Sequence, residues 1–291
     1  MTRIGRTSDA RIDRRALFAS GSAAALLATV GISAEAAPTR GGHLRAALSG
    51  GHRGETWLDL PGGRFLQAAR HAVFETLTEI GADGTLQPGL AVRWAAEDDG
   101  RIWHFELATD VRFHSGRALD VGDVTASLAR AGVLAYAHDG DVVIELAEPN
   151  PTLPFALARD GIMIFSADQL ETGVPLTDGT GVYALKRFEP GRAFFAQRVA
   201  HHRKDGTAGW FDTVEFVAIS DEAVRAEAVR DGFVDVADVR DPSCLDGCSD
   251  LTFITEGDQI AALRKEIKTG ARTGVAPLDD MRFAERWWAQ S

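Results

Sequence analysis

The chain has 291 residues, of which 45% are hydrophobic and 25% are charged. This composition is typical of a globular protein with room for one large domain or two ordinary ones, and it excludes intrinsic disorder over most of the length. With 31 basic residues against 42 acidic ones, the net charge is −11, which disfavours nucleic-acid binding because no basic excess is available for phosphates. Two cysteines are too few for a disulfide scaffold or a four-cysteine zinc site.

Residues 1–36 have the pattern of an export signal. Arginines precede an apolar run over residues 16–32, which is too short for a comfortable membrane span. The pair Arg14 and Arg15 is typical of a twin-arginine signal, although an ordinary secretory signal with a chance arginine pair is the alternative. Ala34 and Ala36 form an A-x-A cleavage pattern. We therefore expect a periplasmic protein that is soluble after signal cleavage.

Hydrophobic periodicity predicts a mixture of strands and helices. In chain order, we predict a strand over 43–48, a helix over 63–78, a hairpin of 92–96 and 101–107, a helix over 120–130 with Asp120 as its N-cap, a strand over 142–146, a helix over 154–159 and a buried strand over 162–165. Next come strands over 182–188, 193–198 and 213–219, a helix capped by Ser220 that ends near Arg230, and strands over 234–236, 251–254 and 259–267. Because helices and strands do not alternate regularly, the fold class is α/β (mixed α+β) with a mixed sheet.

The sequence contains no catalytic or cofactor motif that its local context supports. Residues 179–184 match a dinucleotide fingerprint in letters, but a strand pattern follows where a helix is required, so a turn entering a strand is the better interpretation. His71 and Glu75 are four apart on one helix face and could bind a metal ion, yet a solvated face is the commoner meaning of such a pair. We expect no enzyme activity, no metal and no cofactor.

The two cysteines lie close together near the end of the predicted sheet. Cys244 and Cys248 are separated by three residues, including Gly247. In an oxidising compartment the chain could turn and bridge them, so we expect a disulfide, with two free thiols as the alternative.

Three stretches carry a family pattern. The first is GGHLR at 41–45, the second contains W-x-F-x-L at 103–107 and F-H-x-G at 113–116 followed by a D-V helix start, and the third is GTGVY at 179–183 followed by GFVD at 232–235. Together they resemble the extracytoplasmic solute-binding proteins of peptide/nickel-type ABC transporters, known as solute-binding protein family 5. Gly122 and Val182 depart from the pattern, because an acidic residue and a proline are usual there.

The resemblance implies a domain plan. We expect lobe I of a class II periplasmic binding protein, built from residues 37–50 and 166–291, with an inserted subdomain at 51–165. Members of the family are usually much longer, because a second lobe closes over the ligand. Here residues 241–250 stand in its place as a short loop, so the second lobe is expected to be largely absent.

The function implied is the periplasmic substrate-binding component of an ABC transporter for peptides or similar small solutes, which docks on permease subunits at the inner membrane. The candidate ligand contacts follow the first strand or form the GTG turn: Ser49, His52, Trp57, Gly179, Thr180 and Gly181. The acidic residue that holds a peptide's ammonium in known members belongs to the missing lobe. The alternative is a non-catalytic accessory or interaction protein, a truncated paralogue in which a homodimer covers the open cleft.

Overall fold

The computed structural model describes residues 40–59, 62–81, 85–158, 162–173, 175–256 and 259–265. The predicted signal, with Arg14, Arg15, Ala34 and Ala36, lies outside the described residues. Within the described ranges, no helix is long and apolar enough to cross a membrane.

Strands outnumber helices along the described chain. In order, the elements are β1 (His43–Leu48), α1 (Arg64–Val73), β2 (Thr78–Ile80), β3 (Leu86–Pro88), β4 (Ala91–Glu97), β5 (Ile102–Leu107), α2 (Val121–Arg130), β6 (Ala135–His138), β7 (Asp141–Glu145), α3 (Leu153–Leu157), α4 (Ala167–Thr172), β8 (Tyr183–Glu189), β9 (Ala193–Arg198), β10 (Thr213–Ala218), α5 (Glu222–Arg230), β11 (Val236–Val239), β12 (Leu251–Glu256) and β13 (Gln259–Arg264).

A seven-stranded sheet has the order β12-β13-β11-β1-β10-β9-β8. Its centre is parallel, because β1 pairs in parallel with both β10 and β11, and its outer pairs are antiparallel. All four residues of β11 are buried, as expected for a strand covered on both faces. The segments that follow β1, β8, β10 and β11 therefore share one edge, which we call the carboxyl edge. The segments that precede these strands share the opposite, amino edge.

Two smaller sheets complete the fold. Strands β4, β5, β7 and β6 form a four-stranded antiparallel sheet in that order, and β2 pairs with β3. Trp103 and Phe105 of β5 pack in one apolar core with Val124 and Leu128 of α2. This is the alternation that the hairpin prediction required. The combination of a mixed seven-stranded sheet with helices confirms the mixed fold class.

The strand predicted over 162–165 and the cap predicted at Ser220 are wrong, the helix predicted over 63–78 ends at Val73, and the strand predicted over 234–236 lies at Val236–Val239. Residues 162–165 make a single bridge, between Ile164 and Glu75, instead of a strand. Their apolar run reflects two different cores, since Met163 packs with the large sheet and Ile164 with the four-stranded sheet. The cap of α5 is Asp221 rather than Ser220, because the Asp221 carboxylate accepts hydrogen bonds from the first backbone N–H groups of the helix.

The predicted disulfide is not formed. Cys244 and Cys248 are free thiols, and their side chains have different surroundings. The Cys244 Sγ lies 3.5 Å from the carbonyl oxygen of Asp241, whereas Cys248 packs against the apolar cluster beneath α5. A backbone hydrogen bond from Cys248 to Leu245 shapes this loop without a bridge.

The start of the expected insert lies in the core of the large sheet. Trp57, Phe65 and Phe74 pack there with Phe194 and Phe216, although residues 51–165 were assigned to the insert. We therefore propose that the insert begins after α1, and the other domain limits stay predictions.

The N-terminus of α2 allows a stability test. The Asp120 carboxylate accepts from Asp123 N and the Asp123 carboxylate accepts from Asp120 N, both at 3.0 Å. Asp123 is also buried against Arg117, at 2.6 Å. We expect Asp120→Ala to cost about 1 kcal/mol as a lost cap. Asp123→Ala should cost about 2 kcal/mol or more, because it removes the hydrogen bonds that Asp123 accepts from Arg117, Asp120 N and Ala167 N together.

Urea unfolding of the two variants beside Glu171→Ala, an exposed position on α4, provides the measurement. Equal losses for Asp120→Ala and Asp123→Ala would contradict this account of the helix start.

Candidate functional site at the carboxyl edge

A buried ion pair holds the carboxyl edge together. The Asp238 carboxylate accepts from Ser49 N at 2.9 Å and from Ser49 Oγ, and it lies 3.1 Å from Nε of Arg225. Arg225 also donates to the carbonyl oxygens of Asp238, Ile219 and Ser220. Because these groups belong to the ends of β1, β10 and β11, one carboxylate and one guanidinium fix three strand ends. The sequence analysis missed both, although an aspartate within the apolar run VDVADV was a usable signal.

Close backbone approaches shape the loop that follows β1. A Cβ atom at Gly63 would collide with the Gly50 backbone, and one at Gly191 would collide with that of His52. Glu55, only 1% exposed, accepts from Gly191 N at 2.6 Å and so fixes the loop to the β8–β9 turn. The carboxyl edge is thus a surface of tightly packed backbone, where Arg53 remains exposed.

Three of the predicted ligand contacts follow β1, with different surroundings. Ser49 is bonded to Asp238, whereas the His52 side chain is 65% exposed and lies 3.9 Å from the Asp59 carboxylate. Trp57 is 7% exposed and stacks on Phe188 with a 4.1 Å centroid separation, so it packs in the core.

The other three, Gly179, Thr180 and Gly181, lie at the amino edge because they precede β8. Gly181 N donates to the carbonyl of Val73 at 2.9 Å. The carbonyl of Gly179 accepts from the backbone N–H of His114 at 2.8 Å. The structure therefore does not bring the two halves of the predicted site together.

Glu75 is the centre of a buried charge cluster at the amino edge. Its Oε1 accepts from Arg203 at 2.8 Å and lies 3.1 Å from Nζ of Lys204, while its Oε2 is 3.8 Å from Nε2 of His202. Burial alone would raise the pKa of Glu75, but Arg203 and Lys204 outweigh it and hold the pKa below its ordinary value. The Glu75 carboxylate, for which the sequence favoured a solvated helix face over a metal site, is instead a buried ion-pair partner. No group of three metal-binding side chains occurs in the described ranges.

His114 belongs to the same region. Burial lowers its pKa, and its Nε2 lies 2.8 Å from the carbonyl oxygen of Gly181. The neutral imidazole therefore connects the F-H-x-G turn to the GTG turn, which gives both motifs a structural role.

Residues 85–246 match the family model described as bacterial extracellular solute-binding proteins, family 5 Middle. The chain belongs to this family. Members are extracytoplasmic binding proteins without enzymatic activity.

Solved structures agree in fold. The PBP AgaA of A. tumefaciens R10, in complex with agropinic acid, is 25% identical with a TM-score of 0.62, over 68% of this chain and 44% of that one. DppA of Helicobacter pylori, in complex with the peptide STSA, is 20% identical with a TM-score of 0.63, over 74% of this chain and 51% of that one. The chain thus covers about half of each, which corresponds to one lobe and agrees with the fold expected from the resemblance.

A relative in sequence is a transcriptional regulator. The HTH-type transcriptional regulator SgrR of Escherichia coli K12 is 33% identical over 143 residues, which are 44% of this chain and 26% of that protein. The chain therefore spans about a quarter of the regulator.

The Asp238–Arg225 pair predicts a large effect on stability. Asp238→Ala should lower the free energy of unfolding by about 3–5 kcal/mol, because it leaves Arg225 buried without its carboxylate. Ser49→Ala should cost about 1 kcal/mol, since it removes one hydrogen bond of several. Urea unfolding measures both, with Arg230→Ala, an exposed pair on α5, as the control at about 0.5 kcal/mol or less. A loss for Asp238→Ala as small as that of the control would refute the assignment.

Glu75 predicts the pH dependence of stability. Because its folded-state pKa is held below the ordinary 4.5, ionised Glu75 stabilises the fold above that pH, and this contribution is lost as the pH falls below it. Urea unfolding at about pH 7 and about pH 3 should show a smaller loss for Glu75→Gln than for the wild type. Glu171→Gln, at an exposed position, should behave as the wild type. An unchanged loss in Glu75→Gln would contradict the ion-pair account.

Proposed function

We propose that this protein is a periplasmic substrate-binding component of an ABC transporter for peptides or similar small solutes, and that its solute contacts the carboxyl edge. One observation carries the proposal: β1, β10 and β11 end together there, held by the Asp238–Arg225 pair. Open α/β sheets bind ligands beyond the carboxyl ends of their strands, where the strand order changes direction. Family membership gives this edge its expected role.

The charges at this edge favour a carboxylate-bearing solute. Arg53, in the loop after β1, and Arg240, directly after β11, are exposed at the same edge. They stand out in a chain of net charge −11. A peptide offers a carboxylate to such cations.

Export and transport complete the proposal. Residues 1–36 would be the signal that sends the chain to the periplasm, and the lobe would dock on a permease subunit. Residues 241–250, which leave the carboxyl edge toward β12, would replace a second lobe. No catalytic step and no cofactor is proposed.

A second candidate function is a non-catalytic interaction protein. Leu134, directly before β6, is 79% exposed, and Tyr136 of β6, the edge strand of the four-stranded sheet, is 49% exposed. Neighbouring apolar side chains on an unpaired strand edge favour contact with another protein, such as a second copy of this chain.

The binding proposal is tested by calorimetric titration with a set of tri- and tetrapeptides. Arg53→Gln and Arg240→Gln should each weaken binding about threefold to tenfold, because each removes a charge-assisted contact to the peptide carboxylate. Arg130→Gln, an exposed arginine at the end of α2, is the matched control and should bind as the wild type. Equal losses in all three variants, or no heat with any peptide, would argue against this site.

A further inference from the structure

A cavity of about 350 Å³ lies at the amino edge, away from the proposed peptide site. Its walls are residues 110–112, Thr180 and residues 201–203. The volume equals that of roughly a dozen water molecules in the liquid, which suits a solute with about as many non-hydrogen atoms. The cavity is therefore the size of a small-molecule site.

Part of the wall is rigid and already paired. Arg203 donates to Glu75 and to the carbonyl oxygen of Gly89, each at 2.8 Å. His202 uses both ring nitrogens, one with the carbonyl of Thr180 at 2.9 Å and the other with Lys204 N at 3.1 Å. These side chains have little capacity left for a ligand, so they act as scaffold.

Another part of the wall has spare hydrogen-bonding capacity. Thr180 is 1% exposed, and its Oγ1 is buried without a hydrogen-bond partner among the described residues. The side chains of Asp110 and His201 make no hydrogen bond or ion pair within the described ranges, and Arg112 uses only Nη1, toward the carbonyl of Gly116. A buried hydroxyl without a partner costs free energy unless water or a ligand satisfies it.

Opposite charges stand next to each other on this wall. Val111 is buried, while Asp110 and Arg112 on either side of it are exposed. Arg112 forms a bridge with Ala118, and Asp110 lies at the end of the turn that precedes it. Asp110 and Arg112 both line the cavity, so its wall offers a carboxylate and a guanidinium.

We infer that this cavity binds a zwitterionic solute of amino-acid size. Arg112 pairs with the solute carboxylate and Asp110 with its ammonium, while Thr180 Oγ1 and the imidazole of His201 supply further hydrogen bonds. A site that offers one charge of each sign favours a molecule with both over a simple anion or cation. The inference does not rest on the proposed function, because the two sites lie at opposite edges of the sheet.

The site is tested by titration followed by NMR, in which the backbone amide chemical shifts are measured in ¹H–¹⁵N correlation spectra. The probes are L-alanine, L-leucine and L-glutamine, with propionate and ethylamine as analogues of alanine that lack the ammonium or the carboxylate. At least one amino acid should shift the amides of Arg112 and Thr180. Propionate and ethylamine should bind about tenfold or more weakly than alanine, since each loses one charge-assisted contact.

Variants locate the binding. Arg112→Gln and Asp110→Asn, both at exposed positions that leave the core intact, should each weaken amino-acid binding about tenfold or more. Arg130→Gln, at the exposed end of α2 and outside both proposed sites, is the control and should leave it unchanged. The inference is overturned if none of the three amino acids shifts these amides, or if the shifts appear at Ser49 and are lost in Arg53→Gln. A failure here would leave peptide binding at the carboxyl edge unaffected, so the two sites are judged separately.

Discussion

The ion pair between Asp238 and Arg225 is the contact on which the carboxyl edge of the large sheet depends. Parallel strands meet at their ends only through loops, and loops need partners for their buried polar groups. Here the Asp238 carboxylate accepts from the first backbone N–H after β1. The Arg225 guanidinium donates to the carbonyl oxygens that follow β10. The cost of burying the two charges is reduced by hydrogen bonds from Ser49 to the carboxylate and from the guanidinium to backbone carbonyl oxygens. Three strand ends are thereby held in place by these two side chains.

The amino edge has a second cluster with a different task. Glu75 follows α1, and its partners Arg203 and Lys204 lie in the segment between β9 and β10. The imidazoles of His114 and His202 bind the carbonyl oxygens of the GTG turn beside it. This network joins the insert to the large sheet, and it leaves the walls of the cavity fixed. The two edges thus combine rigidity with exposed charges, at Arg53 and Arg240 on one side and at Asp110 and Arg112 on the other.

Much of the fold was readable from sequence because local periodicity and capping decide local structure. The bounds of β1 were predicted correctly, and Asp120 caps α2 as expected. The site was harder, since it depends on which strands run parallel, and neighbours in sequence do not reveal this. Gly179 and Ser49 were grouped by motif, yet the direction of β8 relative to β1 puts them at opposite edges. The apolar run at Met163 and Ile164 wrongly indicated a strand, because its residues pack into two different cores.

The central claim is that this lobe holds a solute, and native mass spectrometry of the protein recovered from the periplasm tests it most directly. The measurement reports the mass of the chain, its oligomeric state and any retained small molecule together. The account predicts a monomer without residues 1–36 that carries a peptide or another small solute. An empty dimer, or an empty monomer that takes up nothing from a peptide mixture, would contradict it.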